Sequence, residues 1–103
     1  MMPFAIITGG SKGIGKCIAT ELAARRYNLL LVARDASLLS AHASYVSEKY
    51  GIEAHYLALD LSQTGATQVL MDWIISNNYN VGVLVNNAGY GLSGPFTKYS
   101  AND

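Results

Sequence analysis

The chain has 103 residues, half of them hydrophobic and 14% charged, so it is long enough for one packed domain and too apolar for a disordered one. Lysine plus arginine balances aspartate plus glutamate at seven each, which leaves no field for a nucleic acid or an anionic membrane surface. The single cysteine, Cys17, excludes a disulfide within the chain and fits a reducing compartment, so a cytoplasmic location is expected. Met1-Met2-Pro3-Phe4 carries no basic leader, and neither a signal peptide nor a membrane span is expected.

In chain order, Phe4-Ala5-Ile6-Ile7 is an unbroken apolar run and reads as a short buried strand. Thr8-Gly9-Gly10-Ser11-Lys12-Gly13-Ile14-Gly15 follows as a glycine-rich turn. From there Ile14, Cys17, Ile18 and Leu22 recur at helical spacing, predicting a helix that ends near Arg25-Arg26 and buries Cys17 as a small hydrophobe. Leu29-Leu30-Leu31-Val32-Ala33 predicts a strand buried on both faces. Asp35 caps a second helix with Leu39, His42, Val46 and Tyr50 inward, and Gly51 stops it. His42 is expected to be half-buried there.

Ala54-His55-Tyr56-Leu57-Ala58-Leu59 predicts a third strand ending at Asp60, with His55 outward. Ser62 is the expected N-cap of a third helix whose packed side carries Ala66, Val69, Leu70, Trp73 and Ile74. Asn77-Asn78 ends that helix, and Val81-Gly82-Val83-Leu84-Val85 predicts a fourth strand. Asn86 to Pro95 is rich in turn residues, and Ser100 with Asp103 has the form of a capping box at a new helix start.

Strands alternating with helices at this spacing give parallel pairing and right-handed crossovers, with helices on both faces. The expected fold is α/β, a Rossmann-like doubly wound sheet in the order 3-2-1-4. A whole fold of this kind has two halves and about six strands. Residues 1–103 are therefore read as the N-terminal part of one NAD(P)-binding domain. The open edge of the fourth strand is expected to drive self-association.

A glycine turn between a strand and a helix directs free backbone N–H groups and the positive end of the helix dipole at one point, which suits a phosphate. Two ligands compete on residue chemistry. Gly10-Ser11-Lys12-Gly13-Ile14-Gly15-Lys16-Cys17 has P-loop spacing, and Asp60 at a strand end has the place of the second magnesium-binding motif. That motif requires a hydroxyl for Mg²⁺ in its last position, and Cys17 supplies a thiol suited to soft metals. A P-loop nucleotide binder is thus a remote alternative. The other ligand is a dinucleotide. A turn that binds nothing is the structural alternative.

Thr8-Gly9-x-x-x-Gly13-Ile14-Gly15 and Asn86-Asn87-Ala88-Gly89 together resemble the short-chain dehydrogenase/reductase family in its short-subunit form. The likeness spans the whole chain, including Asp60-Leu61 and Gly94-Pro95-Phe96. It implies a cofactor site at Gly9, Ser11, Lys12, Gly13, Ile14, Gly15, Arg34, Asp60, Leu61, Asn87, Ala88 and Gly89. In it Asp60 and Leu61 flank the adenine, and Asn87, Ala88 and Gly89 meet the adenine-side ribose. It implies hydride transfer between a nicotinamide and a carbonyl or alcohol, with the catalytic tyrosine, lysine, serine and asparagine beyond Asp103. No catalytic residue and no metal site is assigned within the chain. Turnover by these residues alone is not expected. A non-catalytic NADP(H)-binding or regulatory module is the alternative.

NADP(H) is favoured over NAD(H). An NAD site carries an acid at the end of the second strand for the ribose 2′-OH, whereas an arginine there accommodates a 2′-phosphate. This chain has Ala33-Arg34, with Asp35 explained as a helix cap, and Lys12 adds a second positive charge. Tyr45-Val46-Ser47-Glu48-Lys49 has the family's Tyr-x-x-x-Lys spacing but lies in the second helix, where the likeness places no chemistry. Two histidines and one cysteine without ligand spacing do not form a zinc site. Trp73 and the seven tyrosines are scattered through core and rim.

Overall fold

A computed structural model describes residues 3–9 and 13–87. Seven elements follow in order: β1 (Phe4–Thr8), α1 (Gly13–Ala24), β2 (Asn28–Ala33), α2 (Ala36–Tyr50), β3 (Ala54–Ala58), α3 (Ala66–Ser76) and β4 (Val81–Asn86). All pairings are parallel and the sheet order is β3-β2-β1-β4, as the sequence pattern predicts. Gly10, Ser11, Lys12, and everything from Ala88 on, including the Gly94-Pro95-Phe96 segment and the Ser100 helix start, lie outside the described residues.

The unbroken apolar runs have a simple cause. β1 and β2 are central and covered on both sides, so odd and even positions both need apolar side chains. Ala5, Ile7, Leu29 and Leu31 face α1 and α2, where they meet Ala19, Ala23, Leu39, Ala43 and Val46. Phe4, Ile6, Leu30 and Val32 face the other way, onto Leu70 and Ile74 of α3. Ile6, Ile7 and Leu29 to Val32 are 0% exposed, and each such side chain contributes about 1.5–3 kcal/mol by leaving water.

The first helix packs differently from its predicted face. Gly15, Ala19 and Ala23 are its buried residues, Ile18 and Leu22 are partly buried, Cys17 is exposed, and Ile14 is 71% exposed. Small residues at i, i+4 and i+8 let the helix axis approach the sheet closely, so the larger side chains flank the contact instead of forming it.

In α2 the expected caps are present. Asp35 accepts from the N–H of Leu38 at 3.1 Å, and Gly51 takes the left-handed conformation with φ 68°. Leu39, His42, Ala43 and Val46 are buried, and Tyr50 is half-buried. His42 is more deeply placed than expected, at 4% exposure, because it faces α1, where its Nε2 lies 3.3 Å from the hydroxyl of Thr20.

Ser62 is not the cap of α3. That helix starts at Ala66 behind Gly65, whose φ of 85° needs glycine, and Val69 on it is 48% exposed. β3 stops at Ala58, although the N–H of Leu59 still donates to the Ala33 carbonyl at 2.8 Å. Asn77 closes α3 as predicted.

α1 and α3 end alike. Arg26 and Asn78 adopt positive φ, and the next residues, Tyr27 and Tyr79, donate back to Leu22 and Ile74, both at 3.1 Å. This is the double hydrogen-bonded C-terminal motif in which the chain turns back and its next side chain meets the last turn of the helix. Tyr79 thereby lands between Phe4, at 4.8 Å between ring centroids, and Trp73, at 5.3 Å.

Candidate functional site

In a parallel sheet every strand delivers its carboxyl end to the same edge. From β1 the chain order runs outward in opposite directions, to β2 on one side and β4 on the other, and a crevice opens at that switch point. Thr8-Gly9, Ala33-Arg34, Leu59-Asp60 and Asn86-Asn87 all lie on this edge.

Thr8 joins two of the strand ends. Its hydroxyl is fully buried, donates to Asn86 Oδ1 at 3.0 Å, and accepts the backbone N–H of Asn87 at 3.0 Å. Asn86 is buried as well, at 6% exposure. Gly9, at φ 70°, donates its N–H to the Val32 carbonyl at 2.7 Å, so the turn is also anchored on β2.

Gly13 opens α1 with φ 54°. Gly15 stands where no side chain fits. A Cβ there would collide with the Gly9 carbonyl and lie 2.7 Å from Asn87 Nδ2. The first turn of α1 therefore rests directly on the backbone of the turn after β1 and on the segment after β4. No acidic residue occupies that first turn, so its amides and the positive dipole end face the crevice uncompensated by a carboxylate.

Arg34 is exposed at the end of β2, while the neighbouring Asp35 carboxylate is engaged by α2. Across the β2–β3 pair stands Asp60. Its Oδ1 accepts the Ser62 hydroxyl at 2.6 Å and the Ser62 backbone N–H at 2.9 Å. The Ser62 hydroxyl first, its N–H next, and to a lesser degree the charge of Arg34 hold the Asp60 carboxyl below the usual carboxylate range. Leu61 is half-buried against the core beneath α3.

Of the residues singled out by pattern, Gly9, Gly13, Ile14, Gly15 and Asn87 thus converge at β1, and Arg34 and Asp60 share the β2–β3 side of the same edge. Ser11, Lys12, Ala88 and Gly89 lie outside the described residues. Sequence reasoning treated Ser62 as a helix cap and missed its tie to Asp60. The signal was present in the Asp-x-Ser spacing, which favours a side-chain turn onto the N–H two residues on.

The other constellations lie elsewhere. Lys49 donates to the Tyr45 hydroxyl at 3.0 Å and sits 5.5 Å from the centroids of both the Tyr45 and Tyr50 rings. The Tyr45 hydroxyl bond, followed by the Tyr45 charge, raises the Lys49 pKa above the ordinary lysine value. This pair is exposed near the C-terminal end of α2, which leads to the start of β3 and so to the opposite edge of the sheet. A concavity of about 680 Å³ lies between α1 and α2, bordered by Cys17, Thr20, His42 and Tyr45, again off the strand ends. Among the described residues no group of three His, Cys, Asp or Glu side chains is placed to hold a metal ion, and no helix is long and apolar enough to cross a membrane.

The family model for short chain dehydrogenase matches residues 3–103. The chain is 39% identical over 103 residues to the short chain dehydrogenase helC of Aspergillus fumigatus, covering 99% of this chain and 40% of that protein. It is 35% identical over 92 residues to the very-long-chain 3-oxoacyl-CoA reductase of Candida glabrata, covering 89% of this chain and 26% of that one. Among solved structures, a short-chain dehydrogenase from Sphingobium yanoikuyae in complex with NADPH superposes with a TM-score of 0.77 at 34% identity, covering 98% of this chain and 39% of the other. L-sorbose reductase from Gluconobacter frateurii, complexed with NADPH and L-sorbose, superposes with a TM-score of 0.80 at 30% identity, over 98% and 38%. The chain thus spans from about a quarter to two fifths of the length of these proteins.

Proposed function

Because this chain belongs to the short-chain dehydrogenase/reductase family, we propose that it is the NADP(H)-binding portion of an oxidoreductase that moves hydride between NADP(H) and a small carbonyl or alcohol substrate. The observation that carries the choice of cofactor is at the end of β2. There the Asp35 carboxylate accepts the Leu38 N–H at 3.1 Å, and Arg34 stands exposed beside it. With one oxygen committed to the helix cap, the Asp35 carboxylate is turned toward α2, and the exposed guanidinium of Arg34 suits a 2′-phosphate.

The residues fit the dinucleotide in a second respect. Where Gly15 lacks a side chain, α1 approaches the Gly9 turn closely enough for backbone N–H groups to meet a pyrophosphate. Gly9, Gly13, Ile14 and Gly15, with Ser11, are assigned to the phosphates, and Arg34 with Lys12 to the 2′-phosphate. Asp60 and Leu61 are assigned to the adenine, and Asn87, Ala88 and Gly89 to its ribose. When bound, the nicotinamide supplies the hydride chemistry. The work of these residues is to hold and orient the adenine half. The NADPH complexes of the Sphingobium and Gluconobacter proteins support the reading.

Fluorescence titration of the purified protein with NADPH and NADH tests it. NADPH is expected to bind about tenfold tighter or better, the effect of roughly one charge-assisted contact. Equal affinity, or a preference for NADH, overturns the NADP(H) assignment. A reading as a non-catalytic NADP(H)-binding module separates from the enzyme reading in a turnover assay over a panel of ketones. The proposal further includes a cytoplasmic location and self-association at the β4 edge, where β4 pairs on one side with β1. A concentration-independent monomer in light scattering removes the self-association.

A further inference from the structure

We propose that the outer edge of β3 is a self-pairing surface, along which two copies of the chain join antiparallel with Tyr56 of each at the two-fold axis. This edge lies across the sheet from β4, and its pairing requires no cofactor.

Among the described residues β3 pairs with β2 alone. In the strand order 3-2-1-4-5-6 of a whole fold of this kind it is still outermost. The ladder fixes which of its backbone groups face outward. The Glu53 carbonyl accepts from Leu29 and the Leu59 N–H donates to the Ala33 carbonyl, so Glu53, His55, Leu57 and Leu59 address β2. Alternation then turns the N–H and C=O of Ala54, Tyr56 and Ala58 away from the sheet. Edges are commonly blunted by a charge, a proline or a bulge. Ala54 to Leu59 holds neither charge nor proline, and its register with β2 is unbroken.

The occupant that fits this edge is the same strand. With Tyr56 opposite Tyr56, Ala54 stands opposite Ala58 of the second copy, and these residues exchange about six N–H···O=C bonds. Glu53 then falls opposite Leu59 and Asp60 opposite Ile52, so no like charges meet. Even positions of β3 stand on the α2 face, where Ala54 packs against the core and Tyr56 is 41% exposed. A concavity of about 330 Å³ lies there, walled by Ala54 and by Ser40, Ala43, Ser44 and Ser47 of α2. These small side chains leave room for the ring of the second copy's Tyr56. An unrelated extended peptide would satisfy the same backbone groups, but the second copy brings one ring between two alanines to facing positions that repeat that pattern.

Sedimentation of the wild type, Tyr56→Lys and Ala58→Pro across a concentration series tests this, with urea midpoints to establish that the variants are folded. Both substitutions keep the bonds to β2, because they change an outward N–H or a half-exposed side chain. Five-residue strands make a small interface, so wild type is expected to pair with a Kd on the order of 10–100 μM, weakened about tenfold or more by either substitution. Cross-linking supplies a second readout that leaves Tyr56 in place. Ala54→Cys and Ala58→Cys proteins, each also carrying Cys17→Ser, should form a disulfide-linked dimer when mixed, because directly opposed residues stand about 5.5 Å apart between Cα atoms. Neither should link alone, since its own copy's cysteine is about 14 Å away. A wild type that stays monomeric throughout overturns the pairing, as does a mixture that does not link or that links no more than each protein alone. Association that survives unchanged in Tyr56→Lys also overturns it, and assigns the contact to the β4 edge instead.

Discussion

The hydroxyl of Thr8 donates to the side-chain oxygen of Asn86 at 3.0 Å in a fully buried setting, joining the ends of β1 and β4 across 78 positions of sequence. The Thr8 hydroxyl oxygen in turn accepts the N–H of Asn87 at 3.0 Å. One hydroxyl thus serves both the sheet and the segment that lies against α1. Thr8→Val, which keeps the shape and removes the hydroxyl, is expected to cost about 1–3 kcal/mol. Thr8→Ser should retain most of the stability. Urea denaturation of the two variants checks this, and equal midpoints for wild type and Thr8→Val contradict it.

Gly15 is the tightest steric point of the site. An alanine Cβ would overlap the Gly9 carbonyl, in the turn anchored on β2, and crowd Asn87 Nδ2 at 2.7 Å, in the segment after β4. Gly15→Ala should push the start of α1 off the turn, costing about 1–3 kcal/mol and weakening NADPH binding about tenfold or more. Gly51→Ala, at the end of α2, is the matched control. Its φ is 68°, but nothing lies within 4 Å of the added Cβ, so it should cost stability without changing cofactor affinity.

Arg34 and Asp35 are adjacent and should separate cleanly. Arg34→Ala is expected to reduce NADPH affinity about tenfold and leave NADH affinity nearly unchanged. Asp35→Ala should lower stability by about 1 kcal/mol through the lost cap, and Asp35→Asn should largely preserve it. Neither Asp35 variant should alter the ratio of NADPH to NADH affinity. A drop in NADH binding by Asp35→Ala would mean that this carboxylate does reach the ribose.

The Asp60 carboxyl gives the protein an acid-sensitive component with a definite sign. Its folded pKa is depressed, chiefly by Ser62, so its contribution to stability is present above the unfolded aspartate value of about 3.9 and is lost as pH falls through the folded value. The stability difference between wild type and Asp60→Asn should therefore be constant above about pH 5 and shrink on further acidification. Urea midpoints taken in steps down to about pH 2 measure it. A difference that grows as the pH falls is the contrary result.

The strand order, the ends of α1 and α3 and both ends of α2 were legible because buried parallel strands and amphipathic helices leave different periods in the sequence. Asp35 and Gly51 were legible because capping is local chemistry. The packed face of α1 was not. Its contact is made by Gly15, Ala19 and Ala23, and reading for large apolar side chains finds Ile14 and Cys17, which are exposed. Close approach of backbone to backbone is a tertiary requirement, and only the smallness of those residues records it.

In the site, the spacing of Gly9, Gly13 and Gly15 was evident, but the reason for Gly15 lies in how close the fold brings α1 to the Gly9 carbonyl and, more than seventy residues later, to Asn87. Ser62 shows the opposite difficulty. A serine between a strand and a helix satisfies both a helix cap and a side-chain turn, and the choice depends on where the helix begins. Gly65 moved that start to Ala66.

The strand order also sets a timetable. β1 is made first, yet one of its two neighbours, β4, is made last of the described elements, and the Thr8–Asn86 link cannot form until Asn86 exists. On the ribosome, the nascent β1–β2–β3 sheet must therefore keep one side of its most deeply buried strand unpaired while α3 is still being synthesised. Pairings so distant in sequence close slowly, and an unpaired apolar strand is what chaperones bind and aggregates recruit. Substitutions in β4 are thus placed to lower the yield of folded protein during synthesis beyond what their effect on the finished fold implies.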